Sequence, residues 1–116
     1  MKVLVSGSRG PIRKETGPLL DLLLPALSQA SLVIHGGATG VDEYAEWAAK
    51  QLGIDTLVFK PDYAEFGQRA PLVRNSDMVA LADAVICVFL GRITNGTAYT
   101  AKAALKANKL RWMYTL

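Results

Sequence analysis

The chain has 116 residues, 51% hydrophobic and 20% charged, with a formal charge of +3. That length suits one folded domain, residues 1–116, and the composition excludes intrinsic disorder. A single cysteine, Cys87, excludes an internal disulfide, and with the single His35 it leaves no set of soft metal ligands.

Five short β-rich runs alternate with helical stretches. The first run is 2–6, and a Leu-rich helix is predicted over 16–28, with Thr16 as its cap and Pro25 as a kink or an early stop. A second run, 32–35, is followed by a helix over 41–52. There Val41, Tyr44, Ala45, Ala48 and Leu52 recur at helical spacing, and Gly53 is the stop. The third run is 56–59. An irregular loop over 60–67 then carries Pro61, Asp62, Tyr63 and Phe66. A less regular helix over 68–81 is broken or started by Pro71. The fourth run, 84–90, reads Ala-Val-Ile-Cys-Val-Phe-Leu, and a fourth helix over 96–107 leads to a last run at 110–114. The first, second and fourth runs are nearly continuous in apolar residues, the pattern of strands covered on both faces. The expected fold class is therefore α/β: a three-layer α/β/α sandwich around a Rossmann-like parallel sheet of about five strands, in the order 3-2-1-4-5.

All ten acidic residues lie at or before Asp83, so the last quarter, with Arg92, Lys102, Lys106, Lys109 and Arg111, is purely basic. It can attract an anion, or its cations can simply complement helix C-termini. No apolar run approaches the roughly 18 residues of a membrane span, and the start has too short an apolar stretch for a signal peptide. A cytoplasmic location without a membrane partner is expected.

In a parallel sheet of this kind ligands bind beyond the carboxyl ends of the strands. Three glycine- and hydroxyl-rich segments fall there: Ser6-Gly7-Ser8-Arg9, Gly36-Gly37-Ala38-Thr39-Gly40-Val41-Asp42, and Gly91 through Asn95-Gly96-Thr97. Glycines allow close backbone approach, and the helix N-termini that follow favour phosphate. Each segment alone also reads as an ordinary turn. Asp42 suits either ribose hydroxyls or the first turn of a helix. Arg74-Asn75 offers a planar fork for phosphate or carboxylate, or a surface ion pair. Neither the G-x-G-x-x-G spacing nor the G-x-x-x-x-G-K-[ST] phosphate loop is present. His35 reads as a satisfied core histidine, Cys87 as buried and inert, and Trp47 as partly off its helix stripe. Tyr63 and Phe66 can stack on a base or close the edge of the core.

Taken in order, Ser6-Gly7-Ser8-Arg9, the Gly36–Asp42 segment, Arg74-Asn75-Ser76-Asp77-Met78 and Asn95-Gly96-Thr97 resemble the SLOG superfamily of Rossmann-like nucleotide-binding domains. Within it the likeness is to the YspA, or cpYpsA-related, group. The superfamily also includes likenesses to the lonely-guy phosphoribohydrolases and the DNA-processing protein DprA. The resemblance implies that Ser6, Gly7, Ser8, Arg9, Gly36, Gly37, Thr39, Gly40, Asp42, Arg74, Asn75, Gly91, Asn95, Gly96 and Thr97 bind a nucleotide or nucleotide-derived phosphate ligand. In the hydrolases an arginine and a glutamate cut the bond between base and ribose. Arg74 matches the arginine and is the candidate catalytic residue, but Thr100 stands where the glutamate is needed.

The expected function is thus a nucleotide sensor or ligand-binding module. The alternatives are a nucleoside 5′-monophosphate phosphoribohydrolase or N-glycosidase and, further off, DprA-like nucleic-acid binding. Without a recognition helix or an aromatic-and-basic sheet motif, nucleic acid is a possible but disfavoured partner. No cofactor and no metal are expected. Exposed Trp47 and Trp112, and the habit of relatives, point to a homo-oligomer.

Overall fold

A computed structural model describes residues 1–9, 16–90 and 95–115. In chain order these form β1 (Lys2–Gly7), α1 (Thr16–Leu27), β2 (Leu32–His35), α2 (Val41–Leu52), β3 (Asp55–Val58), α3 (Tyr63–Phe66), a 3-10 turn (Gly67–Arg69), α4 (Ala70–Leu81), β4 (Ala84–Phe89), α5 (Asn95–Lys106) and β5 (Leu110–Thr115). The five strands make one sheet in the order β3-β2-β1-β4-β5, and every pairing is parallel. This is the three-layer α/β/α sandwich that the alternation of apolar strands and helices requires. The chain winds from β1 outward to β3, then returns to the other side of β1 for β4 and β5. The order therefore reverses between β1 and β4, where such sheets open a crevice at their carboxyl edge.

The continuous apolar runs are explained by two cores. Val3, Val5, Val33, Ile86 and Val88 point toward α1 and α2, where they meet Leu19, Leu23, Leu27, Ala45 and Ala48. Leu4, Ile34, Val85, Cys87 and Phe89 point the other way, toward Met78 and Val79 of α4 and Ala101 and Ala104 of α5. Alternate residues of one strand thus feed opposite layers, so both faces are apolar along the strands, with polar side chains such as Ser6 and His35 at their carboxyl ends. Burial pushes the Cys87 thiol up to about 12, and it packs as a small hydrophobe.

The edge strands are less well covered. Leu57 and Val58 on β3 and Trp112 and Met113 on β5 are exposed. Pro25 lies inside α1, which continues two residues past it to Leu27. The 60–67 loop contains a helical turn, α3, that its sequence does not announce. Pro71 falls in the first turn of α4, where its missing N–H is harmless.

The basic last quarter is used partly within the fold. Lys109 Nζ donates to the carbonyls of Val79 and Ala80 at 2.9 and 3.1 Å, closing the C-terminal turn of α4. Arg111 Nη1 donates to Asn108 O. Helix C-termini and strand starts share one edge of a parallel α/β sheet, so Lys106, Lys109 and Arg111 lie opposite the strand-end crevice. Arg92 lies outside the described residues.

Candidate functional site

A crevice of about 500 Å³ opens at the carboxyl ends of β1 and β2, walled by the first half of α4 and the first turn of α5. From β1 it receives Val5, Ser6 and Gly7, with Arg9 just beyond. A Cβ on Gly7 would lie 2.5 Å from Val41, so the strand exit needs glycine to let α2 pack against it. Ser8 is buried just behind. Its Oγ accepts from Leu90 N at 3.0 Å and its carbonyl accepts from Val41 N, tying together the exits of β1 and β4 and the start of α2.

The loop after β2 is shaped by two buried side chains. Asp42 Oδ2 accepts from the amides of Gly36 and Ala38, each at 3.2 Å, so a carboxylate in the first turn of α2 folds the loop back over its own helix. Burial raises the Asp42 pKa. The Ala38 and Gly36 amides, with neighbouring His35 and Arg74, oppose that rise without cancelling it. His35 Nδ1 accepts from Gly37 N at 3.0 Å, which places the ring proton on Nε2, 2.7 Å from Glu46 Oε1. Glu46 Oε2 also accepts from Thr56 Oγ1. Burial lifts Glu46, but these hydrogen bonds outweigh it and leave its pKa lowered. Gly40, with φ of 95°, turns the chain into α2. Gly37 and Thr39 are exposed on the outer side of the loop, and Gly40 is buried beneath it. Only Gly36, Ala38 and Asp42 of this segment reach the crevice.

Arg74 and Asn75, both buried on α4, form the opposite wall. Arg74 Nε donates to Asn75 Oδ1 at 2.8 Å, and Nη1 donates to the carbonyls of Gly36 at 3.1 Å and Phe59 at 3.3 Å. Nη2 makes no hydrogen bond among the described residues. Among the described residues no buried side-chain nitrogen or oxygen lacks a partner, so Nη2 keeps some exposure to solvent. Burial, and next the charge of Arg9, pull the Arg74 pKa down, while Asp42 and Tyr63 pull it up. The two arginines repel across the crevice, and an anion between them relieves that repulsion. Asn75 Nδ2 donates to Gly96 O at 3.4 Å, joining α4 to the start of α5.

From α5, Gly96 and Thr97 line the crevice, while Asn95 is exposed at the helix start. Thr100 is fully buried, with Oγ1 donating back to Gly96 O at 3.1 Å. It supplies no carboxylate. Gly91 lies outside the described residues. The crevice thus gathers Ser6, Gly7, Arg9, Gly36, Asp42, Arg74, Asn75, Gly96 and Thr97. Ser8, Gly37, Thr39, Gly40 and Asn95 stand around it rather than on its walls. Ala38, within the expected Gly36–Asp42 segment, also lines it, as do Pro71, Leu72 and Met78, which are not among the expected binding residues. For Pro71 a signal existed: Pro71, Arg74, Asn75 and Met78 recur at three- and four-residue spacing on one face of α4. Among the described residues no three His, Cys, Asp or Glu side chains converge as a metal would require.

Fold and crevice together define a Rossmann-like α/β protein with a strand-end site, and comparisons with known proteins place it more closely. The chain belongs to the family of the "Gene 61 protein" of Mycobacterium phage D29, with which it is 33% identical over 115 residues, 91% of this chain and 90% of that one. No protein-family model matches. Among solved structures it is similar to DNA processing protein A from Helicobacter pylori (TM-score 0.73, 22% identity, 97% of this chain and 64% of that one), a structure described for its single-stranded DNA binding mode. It is also similar to the structural-genomics target TM1055 (TM-score 0.72, 23% identity, 94% of this chain and 71% of that one). DNA processing protein A (DprA) from Streptococcus pneumoniae matches at a TM-score of 0.58 and 18% identity, over 95% of this chain and 58% of that one. At these identities the likeness is one of fold, and this chain spans less than two thirds of either DNA-processing protein.

The sequence alone disfavours nucleic acid as a partner, because it carries no recognition helix and no aromatic-and-basic sheet motif, and the fold overturns that expectation. The fold of this chain is shared with a protein described as binding single-stranded DNA, so the absence of those two devices does not count against nucleic acid.

Proposed function

We propose that the chain is a nucleic-acid-binding module that holds a nucleotide unit of a single strand in its strand-end crevice. The phosphate lies between Arg9 and Arg74, and the sugar lies against Gly7, Gly36 and the first turn of α5. In this reading the chain is a single SLOG-type unit of the YspA-related kind, turned to the use described for DNA processing protein A. The observation that carries it is Arg74: a buried guanidinium on the crevice wall, anchored by three hydrogen bonds, that shares the crevice with Arg9. A cation fixed in this way by its own protein is preorganised for a phosphate. Fluorescence anisotropy with a labelled oligothymidylate tests it. Binding that weakens steeply with salt and is lost in Arg74→Gln, with circular dichroism unchanged, supports the reading. No binding at about millimolar protein, far above ordinary non-specific affinities, sinks it.

A free nucleotide is the second reading, favoured by the crevice itself, whose volume of about 500 Å³ suits a small molecule. Competition by nucleoside monophosphates against the labelled strand distinguishes the two. The phosphoribohydrolase reading is weaker. Thr100 holds its hydroxyl on Gly96 O, and Asp42 Oδ2 is committed to two loop amides. An oxocarbenium-like centre needs a carboxylate beside it.

A further inference from the structure

We propose that Tyr63 and Phe66 form a base-stacking platform beside the crevice, on which a strand held at Arg9 and Arg74 lays a neighbouring base. The inference rests on the nucleic-acid reading above. α3 is a single turn with no buried residue, and its two aromatic rings are 58% and 40% exposed. Rings that large are normally placed where they exclude water, and these serve neither core.

The turn is nevertheless held firmly. Asp62 caps it, with Oδ1 accepting from Glu65 N at 3.1 Å and its carbonyl accepting from Phe66 N at 3.0 Å. Upstream, Phe59 N donates to His35 O, and Phe59 O accepts from Arg74 Nη1. Downstream, the 3-10 turn runs straight into Pro71 and Leu72, which line the crevice. Arg74 therefore ties the stretch that leads into the platform, at Phe59, to the phosphate wall, and Tyr63 stands near enough to act electrostatically on its guanidinium.

The flanking charges suit the same occupant. Lys60 and Arg69 are exposed on either side of the rings, and one of the two intervening acids, Asp62, is engaged as the cap. Exposed aromatics interleaved with cations, next to a phosphate site, are what binders of single strands use, since every base has a face to stack.

The test compares a short oligothymidylate with an abasic strand of equal length, against the wild-type chain and a Tyr63→Ala/Phe66→Ala double variant. Neither ring is buried, so the variant keeps the fold, as circular dichroism checks. The wild type is expected to prefer the strand with bases by about tenfold, and the double variant to lose that preference while binding the abasic strand as before. Equal wild-type affinity for both strands, or a preference that survives in the double variant, overturns the platform and leaves the crevice reading standing. Failure of the wild type to bind either strand overturns both.

Discussion

Arg74 Nη1 donates to the carbonyl of Gly36 at 3.1 Å, and a Cβ built on Gly36 would lie 2.7 Å from that same nitrogen. The helix wall and the loop after β2 thus meet where no side chain fits. The glycine expected to make room for a ligand makes room first for the protein's own guanidinium.

Gly36→Ala tests that contact. The new methyl would also lie 3.0 Å from Arg74 Cζ and 3.3 Å from Asp42 Oδ2. Arg74 is anchored by three hydrogen bonds and does not swing away freely. Destabilisation of about 1–3 kcal/mol is expected, as for other overpacked sites, together with weakened binding of a labelled strand. Gly17→Ala in α1, where nothing lies within 4 Å, is the control. It is expected to be neutral, or stabilising by up to about 1 kcal/mol. Urea denaturation of both variants separates the outcomes, and equal midpoints would show that the Gly36 loop yields.

Asp42→Asn tests the loop lock. The amide oxygen of asparagine can accept from Gly36 and Ala38 as the carboxylate does, so the loop is retained. Because burial raises the folded-state pKa of Asp42 above 3.8, the folded chain holds that proton more tightly than the unfolded chain does. The resulting stabilisation is complete below pH 3.8 and is lost as pH rises through the raised value. Relative to wild type, the variant should therefore gain stability as pH climbs from acid toward neutral. Urea midpoints across that interval check it, and a constant difference would remove the buried-carboxylate account.

Glu46→Gln should show the opposite slope. Burial lifts the Glu46 pKa, but the hydrogen bonds from His35 and Thr56 prevail and hold it below 4.5. Its contribution is present above 4.5 and fades as pH falls through the folded value. Replacing a charge-assisted bond to His35 by a neutral one is expected to lower stability by about 1 kcal/mol near neutrality, and the deficit should shrink in acid. The same urea series reads it, and a deficit that grows in acid contradicts it.

Much of the scaffold was legible because its signals are local. β2 and α2 fall at their predicted bounds: a four-residue apolar strand, and a helix with both a five-residue stripe and a terminal glycine, leave little freedom. The strand order 3-2-1-4-5 is as expected, and the right-handed crossovers account for helices on both faces of the sheet. α3 was missed because one turn rests on a single cap, Asp62, and carries no periodicity. The site was legible in its residue types and less so in their roles. Asp42 reads equally well as a ribose acceptor or a helix-start acid, and the structure uses it to bind the Gly36 and Ala38 amides. The reach of Arg74 to Gly36 crosses 38 residues and depends on how α4 lies against the sheet, which no local pattern encodes.

Arg9→Gln isolates the electrostatic half of the site. Arg9 is exposed, lines the crevice and repels Arg74, so its removal leaves the core intact. If a strand phosphate lies between the two arginines, the variant releases fewer counterions on binding. The slope of log affinity against log salt should then fall in magnitude by about 0.7, the value for one contact to single-stranded nucleic acid. Arg111→Gln is the matched control. It removes an exposed arginine at the start of β5, on the opposite edge of the sheet, where it lines an apolar groove with Trp112 and Pro25. Its slope should equal that of the wild type. Titrations at several salt concentrations compare the three proteins. Equal slopes for wild type and Arg9→Gln would place the strand elsewhere, and a slope change confined to Arg111→Gln would place it on the basic C-terminal quarter.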